Sequence, residues 1–381
     1  MKILFTGDIN FRGQTNLDFE KSKIILSEVL PFVQNADFVI PNLESPLANR
    51  EKHKPIYKSG PNLIGSTKHV CFLNALRANV VTLANNHIGD FGPAAVEETI
   101  QLLKANHMQH AGAGRNISEA YEAAHIEKDD IYVSILSVCE NEFGMATETK
   151  SGSAGYSPRR LMNQIKKEKQ CSDYVIVVFH GGNEYNPLPS PDTVERYRFI
   201  CDMGADAVIA THPHCPQGYE IYKGKPIVYS MGNFLFKSAI ERASNNAWYY
   251  GYMSLLDIQE KITLSVIPYR FNPTADWIHV FSGNNRIQML VYIQRLSEFI
   301  QNEKELKELF KGWAWGHQWC PKIPENPAKP ENYHAAPNYN LVKSESHLNQ
   351  LQTLLEIFLN NEIEQAKKMY EKVLELQRIP V

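Results

Sequence analysis

An alternation of short apolar runs with helical patterns fills the first two thirds of this 381-residue chain and limits its fold class. Several runs are almost wholly apolar, as strands buried on both faces are. The apolar runs lie at 2–7, 37–42, 79–85, 131–138, 173–181 and 205–212. The helical patterns lie at 19–34, 93–107, 157–169 and 191–204. The alternation predicts an α/β fold.

The pattern changes after residue 218. A hairpin turning at Lys223–Gly224 and two further strands within 252–271 precede a mainly helical region. One amphipathic helical stretch covers 286–310, an aromatic and proline-rich connector follows, and a last helix covers 347–377. We therefore predict three units: a domain at 1–270, a helix with a Trp/Pro-rich connector at 271–340, and a C-terminal amphipathic helix at 341–381.

The charge and hydropathy of the chain argue against a nucleic-acid-binding protein and against a membrane-spanning one. The net charge of −3 provides no basic surface for nucleic acid. No run approaches the roughly 18 apolar residues of a membrane span. The N-terminal MKILFTGDIN lacks the apolar core and cleavage site of a signal peptide, which predicts a cytoplasmic chain. The six scattered cysteines form no CxxC pair, which indicates reduced thiols.

Five segments place metal-capable side chains where a predicted strand ends. They are GDIN (7–10), NLES (42–45), ANNHIGDFG (84–92), FHGGNEY (179–185) and THPHCPQG (211–218). Ligands of an open α/β sheet gather beyond the carboxyl ends of its strands, so we expect these side chains to converge. The candidates are Asp8, Glu44, Asn86, His87, His180, His212 and His214. Carboxylate, amide and imidazole ligands together suit Mn, Fe(II) or Zn.

Each candidate taken alone also has a structural interpretation. An aspartate after glycine can cap a turn, and a glutamate beside proline can lie on the surface. The amides before the helical pattern at 93–107 can cap a helix. A histidine ending an apolar strand is commonly structural. The pair His212 and His214 is harder to explain in this way, because Pro213 restricts the backbone between the two rings.

The order of the motifs resembles a known family. The run GD, NLE, NNHxxDxG, HGGxEY, HPHxxQ and YSMGNF, ending at Phe234, is similar to that of the CapA family. This family is named for a poly-γ-glutamate capsule biosynthesis protein and is a branch of the calcineurin-like metallophosphoesterases. The resemblance covers about residues 1–270. It implies a four-layer α/β/β/α sandwich, here with a helical C-terminal extension, and two divalent metal ions bound at the strand ends.

The resemblance also implies a role for each candidate. By motif position, the first ion is assigned to Asp8 and His214, the second to Asn86, His180 and His212, and both to Glu44 as a bridging ligand. His87 corresponds to the histidine that contacts the leaving-group oxygen. The wider superfamily has Asp-x-His where this chain has Asp8-Ile9-Asn10. Asn10 offers a weaker oxygen ligand than the histidine it replaces, or no ligand. The first ion is therefore expected to be less firmly held, or the site to hold a single ion.

These assignments predict a metal-dependent phosphoesterase that acts in capsule or cell-envelope polymer biosynthesis. His87 would protonate the leaving alkoxide, and Asp90, three residues later, is placed to orient the His87 ring. An alternative is a non-catalytic module that uses its metals to bind an anionic polymer. A third interpretation gives the C-terminal helices an assembly role, docking an envelope-biosynthesis partner or a second copy of the chain.

Other segments allow two interpretations each. The polar loop at 140–158 suits a substrate lid or an ordinary loop. Lys58 and Arg159 can contact substrate anions, but a solvated position is favoured for both. The tryptophans Trp313, Trp315 and Trp319 can line a ligand site, although the favoured interpretation is that they pin the connector to the core. Glu184 and Tyr185 are candidates for orienting His180.

Overall fold

The computed structural model describes residues 1–318 and 332–381. The strands are β1 Lys2–Asn10, β2 Phe38–Leu43, β3 Val80–Thr82, β4 Gln109–Ala111, β5 Ala113–Gly114, β6 Ala124–Lys128, β7 Ile131–Cys139, β8 Gly152–Ser153, β9 Tyr174–His180, β10 Ala207–Thr211, β11 Tyr219–Tyr222, β12 Lys225–Val228, β13 Asn233–Phe236, β14 Tyr250–Ile258, β15 Ile262–Phe271 and β16 Ile278–Val280. The helices are α1 Phe19–Ile25, α2 Leu30–Asn35, α3 Val70–Ala75, α4 Pro93–Ala105, α5 Ile117–Ala120, α6 Pro158–Glu168, α7 Pro191–Asp202, α8 Gly283–Gln301, α9 Glu303–Gly316, α10 Asn332–Lys343, α11 Glu345–Leu359 and α12 Ile363–Leu376.

Two sheets form the centre of the described structure. The larger sheet has the order β16-β15-β14-β1-β2-β3-β4, and β13 also pairs with β1. The smaller sheet has the order β11-β12-β10-β9-β7-β6. The sheets contact each other through β1 and β10 and through β12 and β15, while α2 and α4 pack on the larger sheet and α7 on the smaller. This arrangement confirms the predicted α/β/β/α sandwich.

Parallel pairing brings the strand ends together. Strand β2 is parallel to β1 and β3, and β9 is parallel to β7 and β10. The carboxyl ends of neighbouring parallel strands therefore lie at the same edge of each sheet. This geometry places the loops that follow β1, β2, β9 and β10 beside one another.

Several element boundaries differ from the sequence prediction, and each difference has a physical cause. Strand β1 continues to Asn10 because its last residues pair with β13, more than two hundred residues away. The helical pattern at 19–34 forms two helices, since Pro31 starts α2 in the first turn, where its missing N–H is not needed. The stretch at 286–310 divides at Asn302, which caps α9. The last helix divides into α11 and α12 at Asn361, which has a φ of 57°.

We call residues 283–381 the C-terminal extension. Its described helices pack closely, most closely α9 against α12. Their apolar residues, including Leu306, Trp313 and Val373, belong to the same buried core as the two sheets. The extension is also tied to the sandwich by hydrogen bonds from Gln377 Nε2 to the Tyr185 carbonyl and from the Tyr250 hydroxyl to the Val381 carbonyl. The three-unit division of the chain stays a prediction.

Two further predictions concern the whole chain. Across the described residues, no helix combines the length and the apolar character that crossing a bilayer requires. Five of the six cysteines fall in the described ranges, and all five are free thiols. The sixth, Cys320, lies outside the described residues.

Candidate metal centre

The strand ends deliver the predicted ligands to one place. Asp8 lies near the end of β1, and Glu44 directly follows β2. His180 ends β9, and His212 directly follows β10. The potential ligand atoms here form three groups of three, with the atoms of each group within 4.8 Å of one another: Asp8, Glu44 and His214; Glu44, His180 and His212; and Glu184, His212 and His214. The convergence expected from the sequence is thus present, and Glu44 belongs to two of the groups.

Glu44 occupies the middle of the cluster. Its side chain is fully buried, and Oε1 lies 3.6, 3.8 and 3.9 Å from the Nε2 atoms of His214, His180 and His87. Neither carboxylate oxygen accepts a hydrogen bond from any described residue. Burial raises the pKa of Glu44 well above its ordinary value, and the negative charge of Asp8 adds to this. Such a carboxylate is costly to bury unless a cation accompanies it.

Asp8 is held in its ionised form. Its Oδ1 accepts a hydrogen bond of 2.7 Å from Asn42, and its Oδ2 accepts one of 3.0 Å from the backbone N–H of His212. Burial alone would raise the pKa of Asp8, but the hydrogen bond and charge of His180 and the charge of His214 outweigh it and hold the pKa at about 2. The preceding Gly7 cannot be replaced easily, since a Cβ there would lie 1.9 Å from the carbonyl oxygen of Gly232.

The backbone of the His-Pro-His unit is strained. His212 has a φ of 103° and His214 a φ of 56°, in a region that costs a residue other than glycine roughly 1–3 kcal/mol. The two rings point in fixed directions. Nδ1 of His214 lies 2.9 Å from Asn233 Oδ1, which leaves Nε2 toward Glu44. The structure therefore stores strain where it aims two imidazoles into the cluster.

His180 and Asn86 meet on the other side of the cluster. Nδ1 of His180 lies 3.0 Å from Thr211 Oγ1, which turns Nε2 toward the centre. That Nε2 lies 3.2 Å from Asn86 Oδ1 and 3.0 Å from Nδ1 of His212. Burial and the neighbouring His180 lower the pKa of His212 to about 3. Three potential ligand atoms thus face one another at short range.

Asp90 and Lys58 hold the imidazole of His87 in position. Its Nδ1 lies 2.7 Å from Asp90 Oδ2, as the spacing of the two residues predicts, so Nε2 is directed toward Glu44. Lys58 Nζ lies 2.5 Å from Asp90 Oδ1 and 3.1 Å from His87 Nδ1. Burial and the positive charge of Lys58 lower the pKa of His87, although Asp90 opposes this.

The two basic residues considered as substrate contacts have different environments. The Lys58 side chain is only 3% exposed, so the favoured interpretation of a solvated lysine is wrong. Lys58 lies within the segment 51–66, which the structure describes mostly as turns and irregular backbone. No periodic pattern marks such a residue as buried. Arg159 is exposed, in agreement with its solvated interpretation.

Both polar atoms of the Asn10 amide form hydrogen bonds with backbone groups. Nδ2 donates to the Glu44 carbonyl at 2.8 Å, and Oδ1 accepts from the Arg12 N–H at 2.8 Å. These bonds tie the end of β1 to the residue that follows β2. An amide oxygen has two lone pairs, so Oδ1 retains one for a further partner.

A cavity of about 540 Å³ opens beside this cluster. One side is formed by residues of the sandwich, among them Lys58, His87 and Glu184. The other side is formed by the C-terminal extension and includes Trp313, His317, Asn340, His347 and Gln350. The sequence indicates a ligand-site role only for Trp313, as the less favoured interpretation, and none for the other four. Their distance along the chain from the motifs left no local signal that would have indicated this role.

The aromatic and lid predictions have distinct outcomes. Trp313 is buried and stacks on Phe310 and His317, which agrees with a pinning role, although the residue also borders the cavity. Trp315 contacts Phe358 edge-on. Trp319 lies outside the described residues. The loop at 140–158 borders the cavity through Glu142 and Phe143 and contains the short strand β8.

The fold and the cluster define the class of this protein as a two-sheet α/β sandwich with a potential metal site at its strand ends. The model of the family described as "Bacterial capsule synthesis protein PGA_cap" matches residues 2–238, and the chain belongs to this family.

Two curated relatives are each similar over more than half of this chain. The Capsule biosynthesis protein CapA of Bacillus anthracis is 31% identical over 231 residues, covering 58% of this chain and 56% of the relative. The PGA biosynthesis protein CapA of Bacillus subtilis (strain 168) is 27% identical over 227 residues, covering 58% and 59%. The chain thus spans little more than half the length of these relatives. Among solved structures, a hypothetical protein from Thermus thermophilus aligns with a TM-score of 0.45 at 15% identity, covering 71% of this chain and 99% of that one.

Proposed function

We propose that this chain is a metal-dependent phosphoester hydrolase with two divalent ions, Mn, Fe or Zn, that acts in capsule or cell-envelope polymer biosynthesis. The observation that carries the proposal is the Glu44 carboxylate, fully buried, without a hydrogen bond from the described residues, and facing three imidazole nitrogens. Buried charges in proteins are paired or coordinate metals. The donor set of carboxylate, amide and imidazole suits these ions and disfavours one that requires sulfur.

The ligands divide between two positions. Asp8 and His214 would hold the first ion, with the free lone pair of Asn10 Oδ1 as a weaker contribution. Asn86, His180 and His212 would hold the second ion. Glu44, which belongs to one group with His214 and to another with His180, would bridge the two ions. Bound divalent ions would supply Lewis-acid catalysis and offset the negative charge of a phosphate ester.

His87 would protonate the leaving group. Asp90 and Lys58 engage its Nδ1, so Nε2 is the nitrogen left to exchange a proton with an oxygen atom at the cavity. Lys58 and Asp90 neutralise each other and hold the ring in one orientation. A correctly oriented imidazole is worth roughly 10²- to 10⁴-fold in such a step.

The biological setting is proposed from the relatives. Their names refer to capsule and PGA biosynthesis. On this basis, the proposed substrate is a phosphoester or an anionic polymer of the capsule or envelope. An envelope-biosynthesis partner, or a second copy of the chain, would dock on the C-terminal helices.

The test combines elemental analysis with a phosphoester panel. We expect purified protein to contain Mn, Fe or Zn and to cleave an aryl phosphodiester, and His87→Ala to retain its metal while losing at least about 100-fold in kcat. The matched control is His53→Ala, because His53 also pairs with a carboxylate, Glu98, at 2.6 Å, but outside the cavity. Absence of metal, with no turnover of any ester, would refute the proposal. Metal-dependent polymer binding that survives His87→Ala, without turnover, would instead support the non-catalytic alternative.

A further inference from the structure

A buried carboxylate of the loop after β7 faces the metal centre from its outer side. Glu142 is 8% exposed, and its Oε1 lies 3.9 Å from Nε2 of His212. The other ring nitrogen of His212, Nδ1, faces His180. Glu142 and the rest of the cluster therefore lie on opposite sides of the same imidazole.

The C-terminal extension holds Glu142 in this position. Asn340 Nδ2 donates to Glu142 Oε2 at 3.1 Å, and Lys343 Nζ donates to the Glu142 carbonyl at 2.9 Å. The contacts join residues about 200 positions apart in the chain. Both donors belong to α10, so one helix of the extension fixes both the backbone and the side chain of this residue.

The two residues before Glu142 are fixed by the same part of the extension. Asn141 contributes its backbone N–H and its Nδ2 to the Glu345 carboxylate at 2.9 and 2.6 Å. Glu140 is buried and accepts hydrogen bonds from Ser346 Oγ at 2.5 Å and from Arg196 Nη1 at 2.6 Å. A buried carboxylate with charged and hydroxyl donors is among the stronger polar contacts in a protein. The loop after β7 therefore has little freedom to move unless the start of α11 moves with it.

Glu142 lies where a metal-ligating histidine commonly has a carboxylate, and at 3.9 Å its contact with His212 is an electrostatic one, longer than a hydrogen bond. Such a histidine commonly donates its second ring N–H to a carboxylate, which fixes the tautomer and the ring orientation. Resting on the function proposed above, we infer that Glu142 is a positioning residue for His212, and that the C-terminal extension, acting through Asn340 and Lys343, is part of the metal centre. The extension therefore has two roles: it forms one wall of the cavity, and it affects how tightly the centre binds its ions.

The experiment titrates Mn²⁺ into the chelator-stripped full-length chain by calorimetry, with unfolding measured in parallel. Glu142→Gln preserves the shape of the side chain, and we expect it to weaken the binding of one ion by about 10- to 100-fold. Glu142→Asp, which keeps the charge but shortens its reach, should lose less. Asn340→Leu should weaken binding in the same direction, because it releases the Glu142 carboxylate without changing any ligand.

The matched control is Asn349→Leu. Asn349 also belongs to the extension, but its Nδ2 donates to Asp192 on an exposed face, away from Glu142. We expect this variant to bind Mn²⁺ as the wild type does.

If the wild type binds Mn²⁺ and both Glu142→Gln and Asn340→Leu bind it equally well, the inference is wrong and the proposed function stands. Equal losses in Asn340→Leu and Asn349→Leu would also overturn it, since they would indicate a general effect on folding. A wild type that binds no ion overturns the proposed function and this inference with it.

Discussion

Lys58 and Asp90 form a buried ion pair, with 2.5 Å between Nζ and Oδ1, directly beside the imidazole of His87. The pair brings a residue of an irregular loop against the motif that follows β3. It makes the position of His87 depend on two side chains from two segments. Asp90 also accepts a hydrogen bond of 2.7 Å from the backbone N–H of Leu63. The orientation of the proposed proton donor is thus set by charge and by backbone contacts together.

Replacing Asp90 by asparagine tests this network. Asp90→Asn keeps the shape of the side chain but leaves the ammonium of Lys58 buried without a counter-charge. Breaking a buried pair in this way costs about 3–5 kcal/mol, so we expect a loss of that size in the free energy of unfolding, together with a lower kcat. Denaturant titration measures the first quantity. The control is Glu148→Gln, which removes an exposed partner of Arg160 and should leave stability unchanged.

Replacing Glu44 should stabilise the metal-free protein, whereas replacing Asp90 destabilises it. The raised pKa of Glu44 means that its ionisation at neutral pH costs more free energy in the folded chain than in the unfolded chain. Glu44→Gln removes this charge, so we expect the variant to bind no metal and yet to be more stable than the wild type in the presence of a chelator. Chemical denaturation at pH 7.5, with and without Mn²⁺, measures both effects. A chelator-treated variant less stable than the wild type would show that the carboxylate has a different partner.

Variants of two proposed ligands of the first ion, Asp8 and Asn10, should differ in their metal content. Asp8→Ala removes an ionised carboxylate at the centre, and we expect elemental analysis to show the loss of one of two ions. Asn10→Ala removes only a neutral oxygen that already accepts one hydrogen bond, so both ions should remain, with the first bound more weakly. His53→Ala is a suitable control, because His53 pairs with Glu98 and belongs to none of the potential metal-binding groups of the described residues. Equal metal loss in Asn10→Ala and Asp8→Ala would contradict this ranking.

The stability of the protein should fall in mild acid because of His110. Burial, with a smaller effect from Lys104, lowers the pKa of His110 from 6.5 to about 4. The unfolded chain then binds a proton at a higher pH than the folded chain does, so stability is complete above pH 6.5 and declines toward pH 4. The contribution of this one residue is at most about 3 kcal/mol.

Comparison of two histidine variants isolates that effect. We expect His110→Gln to flatten the dependence of the unfolding free energy on pH between 6.5 and 4. The neighbouring His107 is exposed, so His107→Gln should retain the wild-type dependence. Identical slopes for wild type and His110→Gln would rule out His110 as the source.

The sequence by itself determined the α/β alternation and the set of residues that follow the strand ends, and the resemblance of its motifs to a known family implied the sandwich. The alternation and the residues could be predicted because each motif is local: an apolar run predicts a strand, and the polar residue after it is placed by the direction of that strand. Asp8, Glu44, His180 and His212 could be identified in this way, and the convergence of all four is confirmed.

Tertiary structure alone decided what surrounds this cluster. The burial of Lys58 depends on the packing of an irregular loop, and the position of Glu142 depends on Asn340, 198 residues away in sequence. Contacts of this kind leave no periodic or spacing signal in the chain, because they arise from the docking of complete elements against one another. The C-terminal extension could therefore be predicted as helical, but its place as one wall of the cavity follows only from the way its helices pack against the sandwich.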